Sequence, residues 1–367
     1  MELIEPGYRK KFIYQVCEYL MKSIVFLLIP ACLACYLFGC GPKHAQEVME
    51  RPGIELMWPG PPAPPRVRWV GEFKDWNTTV VKKGLWKRLK EALIGQEPRF
   101  IVKPYGIYVD GQDRLFIVDV GARLIHFMDL KSRQYSVIPR DRSAVLHTPI
   151  DLTGDEQGNI YITDSEAKGI LRYDLRREVM EQWVTEGLSR PTGIAYNSIN
   201  RLIYVADSGV HQVIAFGLDG QEKFRFGSHG MGPGQFNYPT ALTVDTAGQV
   251  VVTDTLNARI QVFTPDGRQL QAFGQHGDTS GRFARPKGVA VDSDGHIYVC
   301  DALFDTVQVF DQGGSLLLTF GESGHRLGEF WMPTGIFIDG QDRIYVADSF
   351  NQRVQIFQYL KVQGNTK

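Results

Sequence analysis

Six aspartates recur at near-equal intervals along this chain: Asp119, Asp164, Asp207, Asp254, Asp301 and Asp348. A ring of carboxylates would be raw material for a metal site or for acid–base catalysis. Each, however, closes a short apolar run just before a turn, where an Asp carboxylate accepts backbone N–H groups. Catalytic groups stand apart from their repeats, and these six are alike, so they read as structural. The histidines do not converge on a metal either. His229 and His276 are equivalent loop positions 47 residues apart, and His325 falls out of register with them. Cys32-Leu33-Ala34-Cys35 has redox spacing but lies inside an apolar run, and the absence of CxxCH excludes covalent c-type haem. Cys300 takes the small-residue place held by Ala206 and Ala347 in other copies, so a packed, unreactive thiol is expected. No cofactor or metal is expected.

The aspartates belong to a sixfold internal repeat. A proline opens each copy, at Pro104, Pro149, Pro191, Pro239, Pro286 and Pro333, with spacings of 45, 42, 48, 47 and 47. A short apolar strand follows, then a polar turn, then a second strand ending in Asp, as in Ile344-Tyr345-Val346-Ala347-Asp348. A third strand ends in an aromatic: Phe127, Tyr173, Phe216, Phe263, Phe310 and Phe357. Alternating β-branched and aromatic residues bounded by Gly, Asp and Asn argue for strands. A period of 42–48 residues with about four strands is what a propeller blade requires. The pattern resembles the NHL repeat, most closely over residues 226–263 and 320–357, and lacks the Gly-His…Trp-Asp signature of WD40 blades. The resemblance covers 104–357 and implies an all-β, six-bladed NHL-like propeller.

The ring must close, since an unpaired outer strand would expose its backbone. Copies three to five continue into a fourth strand, as in Lys223-Phe224-Arg225-Phe226, whereas the sixth stops near Leu360. Upstream, residues 66–73 (Arg66-Val67-Arg68-Trp69-Val70-Gly71-Glu72-Phe73) alternate like a strand without a blade. They are expected to supply the sixth blade's outer strand, so that the propeller spans 66–360 with a tail at 361–367. Residues 81–94, inserted before blade one, have helical spacing through Val81, Leu85, Leu89 and Ala92 and a charge of +4. Such a basic amphipathic helix packs its apolar stripe on the domain or lies on anionic lipid.

The resemblance also raises an enzymatic reading, because some NHL-like and related propellers are amidating lyases, lactonases or streptogramin lyases acting at the central channel. Among the six innermost strands only Asp151 and Lys287 carry charge, and no His or Glu appears there. The constellation for a channel metal is therefore missing, and a lyase or lactonase on a small substrate is the runner-up.

The N-terminus reads as an address. Lys22 precedes a charge-free, mostly apolar run from Ile24 to Gly39, which is short for a membrane span and carries Pro30. It ends in Leu37-Phe38-Gly39-Cys40, which resembles the bacterial lipobox and implies cleavage before an acylated Cys40. Residues 1–39 are then signal and extension, with Met21 the expected true start. Residues 40–65 form a lipid-anchored tether that ends in a Pro-rich stretch, extended and semi-rigid. Gly41 after the Cys favours the outer membrane if the cell has two.

In a four-stranded blade, the turn after strand two shares a face with the link to the next blade. That face carries the long loops, where a ligand would be sought. Two residues past the closing Asp, blades four to six place Leu256, Leu303 and Phe350, with Phe304 beside one. They either form an apolar patch or fold inward onto the loops. With Lys87 and Arg88 of the basic segment, they are the candidate partner-binding residues. The chain carries 40 Lys+Arg against 41 Asp+Glu, so nothing in its charge invites a nucleic acid. The sequence thus reads as an exported lipoprotein whose propeller binds a protein partner in the cell envelope.

Overall fold

A computed structural model describes residues 55–74, 100–140 and 145–361. Six antiparallel sheets follow one another along the chain and form a six-bladed β-propeller. Blade one shows the plan: an innermost strand Pro104–Val109, then Arg114–Asp119, Leu124–Asp129 and an outer strand Gln134–Ile138. All six innermost strands open on the repeat's proline. Proline is tolerated there because the first residue of a strand need not donate to the ladder. Register slips just after it in every blade, between Pro104 and Ile107 in the first. This bulge turns the inner strand's opening residues toward the axis.

Inner strands of neighbouring blades meet backbone to backbone. A Cβ on Gly106 would lie 2.6 Å from the Asp151 Cα, and one on Gly193 would lie 2.6 Å from the Ala241 Cα. Glycine is required where main chains approach this closely. Between blades, the second and third strands bury their alternate residues in six apolar clusters, one per blade junction. Tyr161, Tyr298 and Tyr345 are fully buried, yet their hydroxyls donate to Asp155, Asp292 and Asp339 at 3.0–3.1 Å, so none of these three hydroxyls is stranded.

Val67–Phe73 lies antiparallel to the last strand, Arg353–Tyr359, with Val67 opposite Tyr359 and Phe73 opposite Val354. Trp69 is buried, its Nε1–H donating to the Gln355 Oε1 at 3.1 Å. Met57–Trp58 adds a fifth strand outside it, and the Trp58 ring lies 5.7 Å from that of Phe357. The end of the stretch read as a spacer is therefore folded onto blade six. Blades one and two also carry fourth strands, Gln134–Ile138 and Val179–Val184. Cys40 and the segment 81–94, with Lys87 and Arg88, lie outside the described residues.

Removing 66–74 leaves the edge of Arg353–Tyr359 bare. The deletion variant is expected to aggregate on size exclusion, and Trp69→Ala alone to cost about 3–5 kcal/mol in a denaturant titration. An unchanged melting temperature and monodispersity for the deletion would show that this strand does not hold the ring closed.

Candidate functional site: the long-loop face and the central channel

The closing aspartates fix the long-loop face. Asp119 accepts the Val102, Lys103 and Ala122 amides at 2.7, 3.0 and 2.9 Å. Asp164 does the same for His147, Thr148 and Ala167, and Asp301 for Ala284, Arg285 and Leu303. Each carboxylate thus ties the segment leading into its own blade's inner strand to the turn after strand two. In blade one, His126 joins in, its Nε2 3.1 Å from Asp119 and its Nδ1 2.8 Å from the Tyr135 hydroxyl. This Asp–His–Tyr chain resembles a catalytic relay, but all of His126 and Asp119 is buried. Gln261 and Gln355 hold the same place and reach Asp254 and Asp348 at 3.1 and 3.2 Å, so His126 is an architectural substitute. Burial opposes ionisation of Asp119, and the bonds from His126 and the three amides outweigh it, holding the carboxyl below its usual range.

The turns so anchored carry the apolar tips. Leu256 and Leu303 are each 56% exposed and Phe350 47%. They do not fold inward. Phe304 beside Leu303 is only half-buried. Phe350 gains a neighbour that sequence reasoning missed: the Trp331 ring, 44% exposed, lies 5.3 Å away, with the Lys103 Nζ 5.6 Å from the Phe350 centroid. The amide of Phe350 donates to the Trp331 carbonyl at 3.2 Å, which holds the two together. His211 and His229 also meet, with ring centroids 4.4 Å apart. The His211 Nδ1 accepts the Tyr238 amide at 3.0 Å, as the Asp305 carboxylate accepts that of Met332, so it too serves the loop. Among the described residues, no group of three His, Cys, Asp or Glu is placed to hold a metal ion.

The channel is the second feature. The inner strands enclose a cavity of about 240 Å³ whose walls include Tyr105, Ile150, Asp151, Leu242, Lys287 and Ile336. Asp151 accepts the Leu152 and Ile194 amides at 2.9 and 3.3 Å. Burial dominates these bonds and pushes its carboxyl up to about 7. Burial also pushes the Lys287 ammonium down to about 8, helped by Arg285 and Arg190, and the Tyr105 phenol up to about 12. Arg190 and Arg285 immediately precede the prolines of blades three and five and are exposed at the long-loop mouth. The opposite mouth opens into a wider hollow of about 760 Å³ beside Asp110, Asp155, Glu156 and Tyr196. Asp110 and Asp155 are occupied there as turn caps, Asp155 accepting the Gln157 and Asn159 amides at 2.9 Å. The short-turn face, read as the plainer one, therefore holds the larger cavity. Lys287 stood out in the sequence as one of two charged residues on the innermost strands, but the cavity it shares with Tyr105 and the two arginines that act on both did not. Cys300 is fully buried, and burial raises its thiol pKa, which leaves it inert.

Comparison with known families agrees with this architecture. The SMP-30/gluconolactonase/LRE-like region model matches residues 103–275, and the NHL repeat model matches 283–310 and 330–357. The chain belongs to the NHL-repeat β-propellers. Virginiamycin B lyase from Staphylococcus aureus superposes with a TM-score of 0.52 at 16% identity, covering 71% of this chain and 96% of that one. An auxiliary nutrient binding protein from Bacteroides thetaiotaomicron gives 0.58 at 15%, covering 71% and 70%. A chain of a nidogen/laminin complex gives 0.53 at 18%, covering 68% and 87%. At these identities the likeness is one of fold.

The depressed Lys287 sets a pH dependence. At pH 7 both folded and unfolded chains carry its proton, and the folded chain bears the full cost of burying the charge. Between about 8 and the ordinary lysine range the unfolded state binds more protons, so stability rises with pH. Lys287→Met is expected to be more stable at pH 7 by about 1–3 kcal/mol and to lose that rise. Denaturant titrations at pH 7 and 10 check this, and parallel profiles for the two proteins would refute it.

Proposed function

We propose that this NHL propeller is a lipid-anchored, extracytoplasmic protein-interaction scaffold that docks its partner on the long-loop face. The observation that carries the reading is the row of exposed apolar tips, Leu256, Leu303 and Phe350, on three successive blades. Trp331 extends the row, and the exposed cations Lys103, Arg190 and Arg285 lie on the same face. Apolar side chains at the centre supply most affinity in such contacts, while rim charges set the encounter rate. The complementary partner presents an apolar anchor with an acidic rim. A chain of this fold comes from a nidogen/laminin complex, so the scaffold is compatible with protein assembly. Anchoring rests on Leu37-Phe38-Gly39-Cys40, and Gly41 after the cysteine favours the outer membrane if the cell has two.

An enzymatic reading keeps one specific support. The match to the gluconolactonase-like region covers blades one to four, including Asp151, whose carboxyl sits near 7. A carboxyl so poised can exchange a proton at neutral pH.

Partner recovery from membrane extract, quantified by mass spectrometry against the unaltered chain, tests the scaffold. Leu303→Ser with Phe350→Ser is expected to reduce recovery at least tenfold with the fold intact, and Asp151→Asn to leave it unchanged. Equal recovery by the double variant would remove the docking face. Loss of a measurable turnover in Asp151→Asn would favour the enzyme. Intact-mass analysis of the mature protein is expected to begin at an acylated Cys40. An unmodified peptide spanning Gly39–Cys40 would end the anchoring proposal.

A further inference from the structure

The inner-strand position after each proline is a threonine in three blades, and each threonine has a defined bond. Thr192 donates to the Ala206 carbonyl at 3.1 Å, Thr240 bonds the Thr255 hydroxyl at 2.5 Å, and Thr334 bonds the Ser349 hydroxyl at 2.6 Å. Blade five has Lys287 at this place and blade one has Tyr105, and both line the 240 Å³ cavity. Among the described residues, neither the Lys287 ammonium nor the Tyr105 hydroxyl has a hydrogen-bond or ion-pair partner. An ammonium largely withdrawn from water with no counter-charge is costly, and the folded chain carries that cost permanently. The field at Lys287 is positive, from Arg285 and Arg190; both also act on Tyr105, where Asp151 acts more strongly with the opposite sign. Asp151, the one carboxylate of the cavity wall, spends both oxygens on backbone amides.

The rest of the wall is aliphatic, with Ile107, Ile150, Leu242, Val289 and Ile336. A hollow of this size holds about eight waters, or one organic molecule of roughly ten heavy atoms. One ammonium and one phenol supply donors for the two oxygens of a planar carboxylate. They do not supply enough for a desolvated phosphate dianion, whose oxygens would face hydrocarbon.

We propose that the central channel is a binding site for a small organic carboxylate, seated between Lys287 and Tyr105 with its aliphatic body against the Ile, Leu and Val walls. The ligand enters by the long-loop mouth, where Arg190 and Arg285 raise the local anion concentration. The site needs no partner and uses none of the apolar tips, sharing only Arg190 and Arg285 with the docking face.

Isothermal titration of the purified full chain with hexanoate and, separately, acetate at pH 7 tests it. A single site per chain is expected. Lys287→Met should weaken hexanoate at least tenfold, while Lys287→Arg, which keeps the charge, should retain most of the affinity. Arg285→Ala should weaken it severalfold, and Lys223→Gln, on an outer strand, should leave it unchanged. Thermal melting of each variant shows that the fold persists. Affinity should fall as pH climbs from 7 to 9.5, because Lys287 sheds its proton near 8 and Asp151 adds negative charge as it ionises. Tyr105, pushed up to about 12, keeps its proton across that range. Failure of both carboxylates to bind would overturn the site, as would binding that ignores Lys287→Met and pH. Tight binding of inorganic phosphate with none of hexanoate or acetate would overturn the ligand class.

Discussion

Everything in this molecule depends on one strand pairing, that of Val67–Phe73 with Arg353–Tyr359. The other sheets are built from consecutive strands, so each would form locally. Only the sixth borrows from residues some 280 positions away, and only it converts an open array into a ring. Arg353 shows how the joint is locked: its guanidinium reaches Asp348 at 2.7 Å within the blade and Glu72 on the borrowed strand at 3.1 Å. Because Arg353 is buried, these charges are not screened as exposed pairs would be. Ring closure also fixes the spacing of the six inner strands. The channel's shape follows from this joint as much as from the residues that line it.

The repeat was legible because every copy solves the same local problem. Proline at a strand's first residue and aspartate at the next strand's end are demanded by backbone hydrogen bonding, so they recur in register. The fourth strands of blades three to five were visible because each ends in Phe-Gly: Phe226, Phe273 and Phe320 precede Gly227, Gly274 and Gly321, all at positive φ. The outer strands of blades one and two, Gln134–Ile138 and Val179–Val184, lack that ending. They hold their places through pairing and packing that sequence alternation only hints at. Trp58 was masked by its Pro-rich surroundings, and the rings it packs on, Phe320 and Phe357, lie far along the chain.

The candidate site was legible only in part, for the same reason. Leu256, Leu303 and Phe350 share a repeat position, so alignment of the copies alone put them on one face. Trp331 and Lys103 join them through loop contacts between blades, which no single copy contains. The channel residues come from different blades and become neighbours only when the ring exists.

The contrast between the aspartates and the channel shows where a repeat protein can hold specificity. Six equivalent carboxylates are consumed by six equivalent turns, and their symmetry leaves none free. Asp151 and Lys287 break the pattern on blades two and five, which stand opposite each other in a six-bladed ring. Opposite charges in contact would draw each other's titration toward the ionised forms. Here both are shifted the other way, by burial, and Asp151 is not among the groups that act on Lys287. The ring holds the two apart across a hollow instead of letting them neutralise one another. Two buried ionisable groups facing one cavity without a counter-charge are an expense that the fold's own stability does not require. The propeller scaffold is therefore common to all six blades, whereas whatever this chain selects in its channel is set by the two blades that differ.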